Sequence, residues 1–170
     1  MKTIRHPLLA LCLLATAMLS ACGFQLRGSQ GPAALAFSTI YISLPTTSEL
    51  HAMLKRSIEA SSATRVVDSP QDAQAILTIT TDSQTKNILS LNTSGRVREY
   101  ELVRTFGFRL HDKTGQDWLP PSQFFIRRDI AFNDSAILAK EAEEVNIVRD
   151  MQNDLAQQLL RRLAAAKPPK

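Results

Sequence analysis

Residues 96–110 read RVREYELVRTFGFRL, and their alternation is long enough to decide the architecture. Tyr100, Leu102, Phe106, Phe108 and Leu110 fall on one side of an extended chain. Glu99, Glu101, Thr105 and Arg109 fall on the other. A strand with one apolar face needs partners, and turn signals stand at both of its ends: Asn92-Thr93-Ser94-Gly95 and Asp112-Lys113-Thr114-Gly115. Upstream, Ala75 to Leu89 is rich in Thr and Ile, which favours a strand. Past Pro120-Pro121, Phe124, Ile126, Ile130 and Phe132 again alternate with polar residues. Three strands joined by turns predict an antiparallel meander.

The flanks supply the other layer. Asn133-Asp134-Ser135 offers N-cap candidates for a closing helix, in which Ile137, Val145, Val148, Leu155, Leu159 and Leu163 recur at helical steps. Glu141, Glu143 and Glu144 toward its start and Arg161, Arg162 and Lys167 toward its end complement the helix dipole. About 30 residues of helix span about 45 Å, and a 15-residue strand about 50 Å at ~3.3 Å per residue, so the helix should lie along the strands. Phe37 to Leu44, ending at Pro45, reads as a first strand. Thr46 and Glu49 make a capping box for an amphipathic helix running to about Ser61. Thr64 to Val67 is a short β-branched segment closed by Asp68-Ser69-Pro70. The expected fold is an α/β (α+β) two-layer sandwich in the order β-α-β-β-β-α. It has a mostly antiparallel four-stranded sheet with two helices packed on one face.

Composition agrees with one ordinary domain. The chain has 170 residues, 44% hydrophobic and 21% charged, which excludes a disordered tail, a collagen-like repeat and a polytopic membrane protein. The N-terminus has its own organisation. Lys2 and Arg5 form a basic segment, Leu8 to Leu19 is apolar, and small residues lead to Cys22. This is the layout of a bacterial export signal over residues 1–21. Twelve helical residues rise about 18 Å, well short of a ~30 Å hydrocarbon core. Leu19-Ser20-Ala21-Cys22 also resembles the lipobox of bacterial lipoproteins. That resemblance implies cleavage before Cys22, acylation of its thiol and amine, and, with Gly23 rather than aspartate following, delivery to the outer membrane. Three acyl chains make a stable anchor. Residues 22–36, with three glycines and a proline, read as the tether. Residues 37–165 read as a single α/β domain and 166–170 as a tail.

Losing the signal leaves 18 basic residues against 16 acidic and a net charge of +2, so the formal charge of +4 overstates the case for nucleic acid. Cys12 and His6 leave as well, which removes thiol catalysis and Cys-ligated metals from the mature chain. No Gly-rich phosphate loop, H-E-x-x-H, G-x-S-x-G or C-x-x-C is present. His51 on the first helix and His111 at a turn are the remaining imidazoles, expected to be solvated and paired with no nucleophile. The expectation is a non-enzyme with no metal and no cofactor beyond the lipid on Cys22.

Two groups of basic residues stand out. Arg104 and Arg128 interrupt apolar strand faces. Either they reach water near the sheet's edge along their stems, or that face meets an anionic partner. Lys86, Arg96 and Arg98 flank the turn at Asn92 to Gly95, where they serve solubility or, in an outer-membrane lipoprotein, meet lipopolysaccharide phosphates.

The chain resembles the lipopolysaccharide-assembly lipoprotein family LptE in three segments: Cys22-Gly-Phe-Gln-Leu-Arg-Gly28, Arg98-Glu-Tyr-Glu-Leu102, and the run from Asn133 through Ala139-Lys140-Glu141 to Glu144. The resemblance implies a non-enzymatic partner of the β-barrel LptD that plugs the barrel and helps it assemble. It also implies binding of lipopolysaccharide on its way to the outer leaflet. The site would be the outer membrane, on the periplasmic side and in the barrel lumen. Lys140 matches a basic position linked to lipopolysaccharide in the family. Where the family has a basic residue at the hairpin tip, this chain has Asn92 and Thr93, with Lys86, Arg96 and Arg98 nearby. The other classes left open are a free-standing lipid-binding or transport-accessory lipoprotein and a small lipoprotein hydrolase using His51 or His111.

Overall fold

The computed structural model describes residues 35–168, and Cys22 with the expected export signal lies outside the described residues. Strands β1 (Thr39–Ser43), β2 (Arg65–Val67), β3 (Ala75–Leu91), β4 (Val97–His111) and β5 (Asp117–Ala131) accompany helices α1 (Glu49–Ser61) and α2 (Ile137–Ala164). The meander forms as predicted, β3 and β5 flanking β4 antiparallel. Both its turns close alike. Asn92 Oδ1 accepts from the amides of Ser94 and Arg96, and Asp112 Oδ1 from those of Thr114 and Gln116. Gly95 and Gly115 take φ of +75° and +86°, which favours glycine.

The sheet order is β2-β1-β3-β4-β5, which corrects the four-stranded, mostly antiparallel expectation. Arg65–Val67 is a fifth strand parallel to β1, and β1 is parallel to β3. The sheet is therefore mixed and the order is β-α-β-β-β-β-α. Three residues cannot display a period of two, and only α1, carrying the chain back across the sheet, brings β2 beside β1. The capping box is also corrected. Ser48 caps α1, its Oγ accepting from the His51 amide at 3.1 Å. Strand β5 begins before Pro120-Pro121, tolerated because it is an edge strand.

Both helices cover the face that holds Ile40, Ile42, Leu77, Leu102, Phe106, Phe108 and Leu110. Leu54 and Ile58 of α1 and Met151, Leu155, Leu159 and Leu163 of α2 complete a single core. On the opposite face Thr105, Arg109, Gln123, Phe125 and Arg127 stay wholly or partly open. A β-bulge in β3 limits how far this core extends. Leu77 and Ile79 oppose Leu110 and Phe108, but beyond Thr80 the residues opposite Phe106, Arg104, Leu102 and Tyr100 are Asp82, Gln84, Lys86 and Ile88. Gly107 makes room for the bulge, since a Cβ there would stand 2.6 Å from Thr80 Oγ1. Pairing with β1 ends at Ser43 and Thr78. The far part of the sheet therefore has three strands, with β3 as an edge.

The first half of α2 lies at this far end, where β3 offers polar side chains. Ile137 and Val145, expected on the packed face, are 46% and 58% exposed. Arg104, in contrast, is buried in central β4 and does not reach water. Its Nε and Nη2 donate to the two Asp82 carboxylate oxygens at 3.0 and 2.9 Å. Arg128, on the edge strand, is half-exposed and paired with Asp154 of α2. Arg104 is thus enclosed on its carboxylate, whereas Arg128 reaches water at the sheet's edge as expected.

Candidate basic site at the far end of the sheet

The β3–β4 turn, the end of β5 and the start of α2 meet at one end because α2 runs back along the strands from there. The amide of Phe132, just past β5, donates to the Arg98 carbonyl at 2.8 Å, and the Phe132 ring meets Tyr100 edge-on at 5.3 Å. All four basic candidates of the described chain gather here, each with a carboxylate. Lys86 Nζ stands 2.6 Å from Glu144 Oε2 and 4.4 Å from the centroid of the Tyr100 ring. Arg96 faces Asp134 at 3.5 Å. Arg98 donates to Glu99 Oε2 at 3.1 Å and to Ser90 Oγ at 3.3 Å. Lys140 donates to Glu143 at 2.7 Å, three residues on, whereas Glu144 serves Lys86. Lipidation at Cys22 falls outside the described residues.

Two openings border these groups. A cavity of about 590 Å³ is lined by Asn92, Arg96, Arg98, Phe132, Asn133 and Asp134 among others. A groove of about 430 Å³ is lined by Lys86, Glu141, Glu144, Val145 and Val148. Hydrogen bonds from the Ser90 hydroxyl and then the Arg98 guanidinium hold the Glu99 carboxyl below its ordinary range. The site is thus a set of ammonium and guanidinium groups beside apolar side chains, internally neutralised and open to water. It suits reversible contact with phosphate-bearing amphiphiles.

The pairing of Lys86 with Glu144 and Tyr100 is absent from the sequence reading. It follows from the β3–β4 register, since Lys86 stands opposite Leu102 and two residues from the position opposite Tyr100. The bulge at Thr80 sets that register. No repeat in β3 announces the bulge.

The histidines depart from expectation. His51 is buried at the start of α1. His111 is half-buried, with Nδ1 2.7 Å from the Asp112 carbonyl and Nε2 2.9 Å from Thr78 Oγ1. Donation from Nδ1 leaves Nε2 to accept from the hydroxyl, so a potential nucleophile does stand beside this imidazole. Thr78 is nevertheless a β-branched residue on a central strand, paired with Ser43 and Arg109. Among the described residues, no group of His, Cys, Asp and Glu could hold a metal ion, and no helix is long and apolar enough to cross a membrane.

Comparison with known proteins bears on the whole domain. Residues 37–163 match the family model LptE, described as lipopolysaccharide-assembly. The LPS-assembly lipoprotein LptE of Pectobacterium atrosepticum is 32% identical over 162 residues, covering 94% of this chain and 86% of that protein. The protein of the same name from Yersinia enterocolitica is 32% identical over 167 residues, covering 94% and 77%. Among solved structures, lipoprotein B from Nitrosomonas europaea superposes with a TM-score of 0.72 at 37% identity, covering 84% of this chain and 91% of that one. Rare lipoprotein B from Shewanella oneidensis gives 0.64 at 27% identity, covering 75% and 94%. With a family match across the folded domain and relatives along nearly the whole length, the chain belongs to the LptE family of lipopolysaccharide-assembly lipoproteins and has a role in lipopolysaccharide assembly and transport.

Proposed function

We propose that this protein is an outer-membrane lipoprotein, anchored through Cys22 by the 22–36 tether, that plugs the LptD β-barrel and assists its assembly. It helps deliver lipopolysaccharide to the outer leaflet, with Lys86, Arg96, Arg98 and Lys140 meeting the phosphates. The observation that carries this reading is the gathering of those four residues, from three segments of the chain, at the end of the sheet where the covering of the apolar core thins. Family membership supplies the ligand and the barrel as the partner to test. A sheet with one open polar face, and a second layer confined to the other, suits a polar lumen wall.

Affinity capture of the full-length, lipidated protein from detergent-solubilised outer membranes tests the partner. A stoichiometric large β-barrel that survives washing supports the plug. Recovery alone or with lipid only overturns it in favour of a free-standing lipid-binding lipoprotein. For the ligand, Lys140→Glu and Arg96→Glu should weaken lipopolysaccharide binding, most strongly at low salt, without moving the melting midpoint. Unchanged binding removes those residues from the site.

A further inference from the structure

The lysines of the far end are occupied, and the manner of their occupation has chemical consequences. Lys86 lies between the Glu144 carboxylate and the face of Tyr100, and Lys140 is held by Glu143. Lys140 and Glu144 are four residues apart on α2 and share one side of the helix, which sets Lys140 beside the carboxylate that holds Lys86. An incoming anion therefore does not meet free cations. It competes for the charge of each lysine with a glutamate already in hydrogen-bond contact. A ligand with a single negative charge can replace one glutamate, but it leaves that carboxylate unpaired beside its own charge. A ligand with two or more phosphates replaces both pairs at once and compensates the released carboxylates with two cations held in common.

From this we infer that Glu143 and Glu144 are specificity-determining residues, internal competitors that set a charge threshold at the Lys86–Lys140 site. They admit amphiphiles carrying two or more phosphates and turn away singly charged phospholipids. The inference rests on the proposed binding role of the two lysines. Glu141 provides the internal comparison. It lines the same groove and carries the same charge, but it makes no ion pair among the described residues. Long-range repulsion predicts equal effects from Glu141 and Glu144, whereas competition for the lysine predicts an effect from Glu144 that Glu141 does not share.

The experiment measures binding of the full-length lipidated protein to two kinds of vesicle, one containing bis-phosphorylated lipid A and one containing phosphatidylglycerol. Glu144→Gln and Glu143→Gln should each strengthen phosphatidylglycerol binding about two- to fivefold, the size of one exposed ion pair. The gain on lipid A should be smaller, so that the preference for lipid A narrows. The double variant should narrow it further, and Glu141→Gln should leave it unchanged. Equal effects from Glu141→Gln and Glu144→Gln, or no change from the Glu143 and Glu144 variants, overturn the threshold. Lys86→Gln and Lys140→Gln identify which idea has failed. If they weaken lipid A binding while the glutamate variants are silent, the site stands and the threshold falls. If they change nothing, the binding reading itself falls and the threshold with it.

Discussion

At the near end of the sheet five strands and both helices enclose Ile42, Leu77, Phe108 and Leu110 against Leu54, Leu155 and Leu159, all fully buried. At the far end three strands and the first half of α2 meet through Lys86 and Glu144, Arg96 and Asp134, and the Tyr100–Phe132 ring pair. Ile88, Leu91 and Leu138 there remain more than half exposed. One end is held by removing apolar area from water, at about 25 cal/mol per Å². The other still buries Leu102 and Ile130 but closes at its surface with ion pairs worth about 0–1 kcal/mol each. The same strands and the same helix thus pass from a well-covered region into one whose contacts lie open to water. Elements that bind and move come from the less stable parts of a fold.

The largest effect that separates the two ends should come from truncating one residue of α2 on each side of the divide. Leu155→Ala should cost about 2–5 kcal/mol through a lost core contact and a cavity, and Val145→Ala less than about 0.5. Urea melts of the two variants measure this directly, and similar losses would show that the far half of α2 is packed after all. Next comes the buried guanidinium at the boundary. Asp82→Ala leaves Arg104 without its carboxylate, a change that costs about 3–5 kcal/mol where both partners are buried. Because Asp82 is itself 30% exposed, about 2–3 kcal/mol is expected here. Arg104→Met should cost less, since the remaining carboxylate can reach water.

Smaller again is the effect of closing the bulge. Gly107→Ala forces a methyl group toward Thr80 Oγ1 and should cost about 1–3 kcal/mol, read as a lower melting midpoint. The smallest effect is electrostatic and local. Glu99 has a lowered folded pKa, so its contribution is present above the ordinary glutamate range and is lost as pH falls through that range toward the lowered value. The protection factors of amides 90–99, with the intrinsic pH dependence of exchange divided out, should therefore fall in acid, and Glu99→Gln should remove that dependence while the core amides keep their protection. A pH-independent turn in the parent protein would remove the Ser90–Glu99–Arg98 contact from the account.

How far the sequence could be read differs between these ends for a physical reason. The meander, both turns and the packed stripe of α2 from Leu155 to Leu163 are local patterns, repeated over enough residues to be unambiguous. Arg65–Val67 is too short to carry any pattern, and it becomes a strand only because α1 delivers it beside β1. His51 and Val145 were both misjudged, in opposite directions. Helical spacing tells which residues share a face, but not how much of that face a neighbour covers. The four basic candidates could be singled out by type and position, but their carboxylate partners could not.

The sequence by itself determined that long alternating strands would form a meander and that a long amphipathic helix would return along it. These depend on side-chain order within one segment. Only the tertiary structure decided the fifth strand, the parity change at Thr80 and the union of Lys86 with Glu144 across 58 residues. It also decided the burial of Arg104 on Asp82. Those depend on which segments meet and in what register. In this protein a single bulged residue changes which side chains β3 presents to the helix.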